Sequence, residues 1–503
     1  MLLRTTLLLL SACWTGVYAQ ELDQRLQQLL SDRLYQTNLR GPRWTGNDNQ
    51  NTLTESVATS MRLTGLTVDT LNYTLNRWDP RWWSLTLNLR NGTSIALPTT
   101  GYWPYSGNSG LEGVTAPMAD GGTFGINPDQ TADNSTLDFT QVQPQAPGTV
   151  LFFDNPSPTR NYLAPGYTLL GSNVDPDDIP ELGNLTDPHW QSEKTLDWTD
   201  MKARGVSAVV SSWVHTSDEN AASQFLPNVG SEKQYVPNEV PALYVGNSTG
   251  ETIRHLLVDG EVDTATVVLD APSYNASTQT VVGHLAGTAG SDETIIVYTH
   301  SDGPSIIEEN GPILLLTMAE YFTRYRPKIN IDFVITTGHM SGGHLSETLW
   351  MKERPDLLKN AVAAVVCEHF GAIEWKDHFS AGAPEFKATG KLEPMWTMAN
   401  SSDRSTLLRH SYVHSFEGVD PDIRMALLSP ETVNGVRSKW YGAGGSSTMG
   451  RSRLPTVGII PQPDYLWAAM VDGGWSKLSI PVAVEQINII LRLITRLDDD
   501  FSS

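Results

Sequence analysis

The chain is 503 residues long, 40% apolar, with a formal net charge of −22, 15 Trp and 16 Tyr. That length allows two or three domains at roughly 150 residues each, and so many aromatics exclude a disordered chain. The acidity speaks against nucleic acid or a membrane surface as partner, since both reward basic patches.

The start of the chain reads as a secretory signal peptide over residues 1–19. Met1-Leu2-Leu3-Arg4 is a short basic opening, Leu7–Leu10 lies in an apolar stretch, and Val17-Tyr18-Ala19 precedes Gln20 as a small-residue cleavage site. No other stretch approaches about 18 uninterrupted apolar residues, so no membrane-spanning helix is expected. Seven glycosylation sequons, at Asn72, Asn91, Asn134, Asn184, Asn247, Asn275 and Asn400, fit a secreted glycoprotein. Of two cysteines, Cys13 falls in the leader and Cys367 ends the apolar run Ala363–Val366, where a buried, inert thiol is expected.

In chain order, Gln20–Leu39 has helical spacing, with Leu22, Leu26, Leu29 and Leu30 on one side, and Leu53–Gly65 is a second helical segment. A strand-like stretch ends in Trp82–Leu89, and residues 99–135, rich in Gly, Thr, Asn and Pro, read as long loops. Gly148–Asp154 is a strand. Met201–Val210 reads as a short helix, a glycine and a strand; Val240–Val245 is another strand and Gly250–Asp259 another helix. Strand–helix alternation then continues through Thr280–Gly287, Ile295–Tyr298, a helix to about Tyr325, Ile329–Thr336, a helical patch Leu345–Lys352 and Ala361–Cys367, closing on a helix at Ala483–Leu497. Alternation of this length predicts an α/β sheet with helices on both faces.

Three of these strands end in potential ligands. Ile295–Tyr298 runs into His300-Ser301-Asp302, with Glu308-Glu309 just before the next helix. Ile331–Thr336 runs into Gly338-His339, with His344 close behind. Val365–Cys367 runs into Glu368-His369-Phe370-Gly371. Ligands of α/β proteins bind outside the carboxyl ends of strands, and His with carboxylates suits zinc. The plainer readings are an ordinary loop for the His300–Asp302 pair, a core histidine for His369 and a solvated neighbour for Glu308. Trp375, Trp440, Trp467 and Trp475 can wall a pocket, although core packing explains each of them singly.

These motifs resemble the secreted zinc-dependent aminopeptidase family, in which aminopeptidase Y and glutaminyl cyclase fall. His300-x-Asp302 matches the family's His-x-Asp motif; Glu309-Asn310-Gly311 stands where the family has Asp-Asn-Gly, Glu368 with Gly371 where it has an Asp ligand and a nearby Gly, each carboxylate one methylene longer, and Trp44-Thr45-Gly46 where it has its N-terminal turn. The stretch 140–270 resembles the protease-associated domain inserted in many of its members. The resemblance implies a three-layer zinc-exopeptidase-like mixed sheet, with residues 20–139 and 271–503 forming the catalytic domain. It also implies metal ligands at His300, Glu309 and Glu368, with Asp302 orienting His300. Two further positions depart from the pattern. Gly338-His339 stands where the family has a Glu-Glu pair, and no histidine follows His414, so the last metal ligand is missing.

The expectation is therefore one zinc, not two, with His339 as general base and Glu308, His344 and His369 as further acid–base candidates. The substrate would be a peptide or small-molecule amide. Two alternatives stand beside it: a binding descendant without catalysis, and a cyclase- or lyase-like acid–base enzyme on the same scaffold using a pair such as Glu308 and His339.

Overall fold

The computed structural model describes residues 21–123, 148–156, 159–161, 167–175, 184–186, 198–214, 216–222, 239–379, 384–399, 406–430, 432–433, 436–437 and 454–501. The expected leader, the sequons at Asn134 and Asn400, and Trp440 lie outside the described residues.

Ile295-Ile296-Val297-Tyr298 sets the architecture, because β-branched and aromatic residues at consecutive positions need cover on both sides. Thr294–His300 is a strand buried at every position. Ile295 and Val297 face one apolar cluster, and Ile296 and Tyr298 face another. The first cluster takes in the helices Gln24–Leu39, Asp48–Leu63, Gly311–Arg324 and Ile480–Phe501. The second takes in Trp350 and Leu357, from the short helices Leu349–Glu353 and Pro355–Lys359. Helices thus cover both faces of a mixed sheet. Among the described residues no helix is long and apolar enough to cross a membrane.

Among the described residues that sheet has nine strands, in the order Thr67–Trp78, Ser273–Leu285, Asn330–Thr336, Thr294–His300, Ala361–Cys367, Thr456–Ile459, Met395–Ala399, Met425–Pro430 and Tyr167–Ser172. The three central strands at Asn330, Thr294 and Ala361 are parallel, so their carboxyl ends share one edge of the sheet. His300 is the last residue of one, His339 follows the second, and Glu368 follows the third at once. Proline at the first turn of Gly311–Arg324 suits a helix start, and places Glu309 at the same edge.

Residues 99–135, expected to be loops, contain the strands Gly101–Tyr102, Gly110–Ala116 and Met118–Thr123. Their glycine-rich composition hides them, but their partners come from far along the chain. Gly110–Ala116 pairs with Val262–Asp270, and Met118–Thr123 with Thr149–Pro156. Residues 82–123 therefore share a four- and a five-stranded sheet with residues 149–270, on both sides of the expected boundary at 140. Tyr167–Ser172 runs the other way, joining the nine-stranded sheet beside Met425–Pro430.

Candidate metal centre

The ionisable residues from the three strand ends converge and are buried. His300 and Glu309 have fully buried side chains, with Nε2 and Oε2 2.9 Å apart. Glu368 Oε2 lies 3.6 Å from the same His300 nitrogen. Glu308 stands between the other two imidazoles, with Oε2 3.2 Å from His369 Nε2 and Oε1 3.7 Å from His339 Nε2.

Local sequence places each of them. Gly311 lets Glu309 fold back, since a Cβ there would collide with the Thr299 hydroxyl and the Glu309 carboxylate. Thr299 Oγ1 in turn lies 3.1 Å from Glu309 Oε1 and donates to the carbonyl of Cys367. The Asn310 amide pairs with the backbone of Phe370 in both directions, at 2.8 and 3.2 Å, tying the start of the helix to the loop that carries Glu368 and His369. His369 has a φ of 61°, a left-handed conformation that costs energy for any residue but glycine. The turn brings its ring back over the site, where Nδ1 meets the Pro461 carbonyl at 2.8 Å. Arg43, 1% exposed, braces the loop from behind by donating to the carbonyls of Ser305 and Glu309. Burial lowers its pKa to about 10 against the pull of Glu309, Glu308 and Asp302, so it remains a cation at neutral pH.

Proton affinities follow from the packing. Burial opposes charge on His300, but Glu309 and Glu368 outweigh it and hold its pKa well above the ordinary value. His369 is raised in the same way, burial being outweighed by Glu308 and its neighbours. Burial pushes the carboxyl of Glu309 up further than His300 pulls it down, whereas His300 and His369 hold Glu368 low despite its burial. His339 is pushed down by burial and by His300, and raised on balance by its contact with Glu347. Burial raises Glu347, yet the His339 hydrogen bond and charge bring it down to about 2.

Among the described residues two groups of three have ligand atoms all within 4.8 Å of one another: His300, Glu309 and His369, and His300, Glu308 and His339. His300 Nε2, Glu309 Oε2, His369 Nε2 and both Glu308 oxygens are buried without a hydrogen bond of good geometry. Polar atoms this deeply buried are normally satisfied. A cation among them would satisfy them together, and imidazole with carboxylate is a donor set that zinc takes. The residues present fit a metal.

No family model matches the chain, and no curated protein matches it in sequence. Its structure is similar to the aminopeptidase from Aneurinibacillus sp. strain AM-1, with a TM-score of 0.55 and 14% identity, covering 94% of this chain and 95% of that one. The zinc aminopeptidase of Bacillus subtilis superposes with a TM-score of 0.59 at 15% identity, over 93% of this chain and 94% of that one. The peptidase M28 precursor of Shewanella amazonensis SB2B gives 0.58 at 12% identity, over 94% and 95%. The fold is that of the zinc aminopeptidases.

On this aminopeptidase fold the predicted residues divide. His300, Glu308, Glu309, His339, Glu368 and His369 come together. The expected ligand trio of His300, Glu309 and Glu368 is not one of the two compact groups, although Glu368 lies 3.6 Å from His300; His300 and Glu309 group with His369, which takes the left-handed conformation. Asp302 does not orient His300 through its carboxylate. His300 Nδ1 meets the backbone carbonyl of Asp302, while the carboxylate accepts from the Thr45 hydroxyl and the Met340 amide. His344 stands apart, its ring centroid 5.0 Å from Tyr105 and its pKa lowered by burial. Trp467 alone of the described tryptophans named above stacks toward the site, 6.0 Å from His339. Trp375 lies under the Lys477 ammonium and Trp475 against Tyr35. Cys367 is buried and its thiol is pushed well up.

Arg43 and Glu347 were not among the predicted site residues. Glu347 Oε2 lies 3.2 Å from His339 Nδ1, and its other oxygen accepts from Tyr298. Its only sequence signal was a carboxylate eight residues after a candidate base.

Proposed function

We propose that the chain is a secreted metal-dependent hydrolase of amide bonds, aminopeptidase-like in scaffold, working with one metal ion. The observation that carries this reading is the convergence of His300 Nε2, Glu309 Oε2 and His369 Nε2, buried and without hydrogen bonds, at the carboxyl edge of the sheet. These three would hold the ion, with Glu368 beside them. A zinc ion there would polarise a substrate carbonyl and lower the pKa of an attacking water.

The chain's own residues supply the rest. The Asp302 carbonyl accepts from His300 Nδ1, so Nε2 is the nitrogen aimed at the centre and its proton is the one a bound cation would displace. The Pro461 carbonyl does the same for His369. Glu347, ionised at neutral pH, accepts a hydrogen bond from Nδ1–H of His339 and so favours the tautomer whose Nε2 would accept a proton from the attacking water. His339 lies parallel to His300, centroids 3.9 Å apart, with 7% of its side chain exposed, so the base sits at the rim of the buried cluster. Trp467 beyond it provides an apolar wall for a substrate side chain.

A second reading draws on Glu308, a buried carboxyl flanked by two imidazoles. Such a trio can exchange protons without a metal, as a cyclase- or lyase-like enzyme would need. A panel of aminoacyl reporter amides, with and without chelator, separates the two. The hydrolase reading expects cleavage that chelator abolishes and zinc restores. Turnover indifferent to chelator, or no cleavage by zinc-loaded protein, would sink it.

A further inference from the structure

The helix Thr406–Ser415 carries a histidine pair unrelated to the buried centre. Leu408, Ser411, Tyr412 and Ser415 are its buried face. Two hydrogen bonds pin it to the helix Ile480–Phe501, from Ser411 Oγ to Asp500 and from Arg492 Nε to the Ser415 carbonyl. His410 and His414, one turn apart, stand together on the remaining face. Their Nε2 atoms are 2.8 Å apart, with ring planes inclined at 80°. Just beyond the helix, Glu417 Oε1 lies 2.6 Å from Nδ1 of His414.

We propose that His410 and His414 form a surface chelate for a borderline divalent cation such as zinc, with Glu417 holding His414 in the ligand tautomer. A carboxylate on Nδ1 keeps the proton there and leaves Nε2 as a lone pair, the arrangement that orients metal-bound histidines generally. Histidines at i and i+4 of one helix face are a spacing that zinc accepts. Zinc–nitrogen bonds near 2 Å at a tetrahedral angle set the two nitrogens about 3.3 Å apart, against 2.8 Å in the structure, so binding would turn the rings from facing each other to facing a shared ion. Water would fill the remaining positions, so this site binds more weakly than the buried one. Imidazole donors select zinc, copper or nickel over magnesium and calcium.

The test is calorimetric titration of zinc chloride into the full chain, first loaded with zinc and desalted so that only tightly held metal remains. The wild type is expected to take up one further zinc. His410→Gln and His414→Gln each abolish that uptake, and Glu417→Gln weakens it about tenfold or more. If the wild type takes up no further zinc, or the double variant His410→Gln/His414→Gln takes up as much, the pair is a hydrogen bond between two imidazoles and the proposal is overturned. Because both residues are on the solvent side, circular dichroism of each variant should match the wild type; a change there moves the test to Glu417→Gln alone, where unchanged affinity overturns the proposal.

Discussion

The imidazole of His300 is held at Nδ1 by the backbone carbonyl of Asp302, 2.9 Å away, and not by that residue's carboxylate. The carboxylate faces the other way, bridging Thr45 on one segment and the Met340 amide on another. It acts as a rivet between the N-terminal turn and the loop that carries His339.

Asp302→Asn should therefore keep metal binding within a few-fold of wild type and lower stability instead. Thr45→Val removes the hydroxyl that donates to the same carboxylate, and should cost roughly 1.5–3 kcal/mol, as buried hydrogen bonds to charged groups do. In urea unfolding the double variant should be less destabilised than the sum of the singles, since both break one network. Loss of zinc in Asp302→Asn at unchanged stability would contradict this.

Exchanging the two adjacent residues after Ala361–Cys367 identifies the third ligand. His369→Ala should weaken zinc binding by more than Glu368→Gln, because His369 belongs to a compact ligand group and Glu368 does not. Equilibrium dialysis against graded chelator measures both. The reverse order would restore Glu368 to the place expected from sequence.

Removing the carboxylate behind the candidate base should separate activity from metal content. Glu347→Gln is expected to lower kcat about 10- to 100-fold, the usual effect of losing a group that orients a catalytic histidine or ligand, while zinc stoichiometry stays the same. Full activity in this variant would remove His339 from the role of base.

A pH dependence follows from Glu393, which is 1% exposed and whose two carboxyl oxygens make no hydrogen bond. Burial raises its pKa from 4.5 to about 8, against the pull of Lys376. Between those values the folded chain keeps a proton that the unfolded chain has released, so this residue's contribution to stability falls as pH rises. The loss is on the order of a few kcal/mol across the window. Glu393→Gln should flatten it, so that the variant gains on wild type as pH climbs from 5 to about 8. Parallel denaturation midpoints across that range would refute the assignment.

Secretion can be read from the protein's mass. Asn72, Asn91 and Asn275 head sequons and are exposed, so material from a eukaryotic secretory host should lose mass on treatment with an N-glycosidase. Absence of any mass change would argue against that route.

Much of the sheet was legible because its central strands are unbroken apolar runs. Ala361–Cys367 matches its predicted limits, and Thr294–His300 differs only at its ends. The strands Met395–Ala399, Met425–Pro430 and Thr456–Ile459 were not foreseen. Each is short, and their partners include strands some 30 to 60 residues away in the chain, so no local period marks them. The site divides along the same line. His300, Glu309 and Glu368 stand at strand and helix ends, where pattern alone points. Arg43 reaches Glu309 across 266 residues, and a buried arginine looks no different in sequence from a solvated one. The place of His369 depends on one backbone angle, which composition does not encode.

Tyr167–Ser172, which lies between two segments of the outer sheets yet closes the edge of the central one, bears on how the molecule can be cut. A deletion of residues 140–270, drawn as if the region were a detachable cassette, would strip a border strand from the nine-stranded sheet. Met425–Pro430 would be left with unpaired amides and carbonyls along one side, an invitation to association between copies. Shortened versions of this protein should keep residues 167–172.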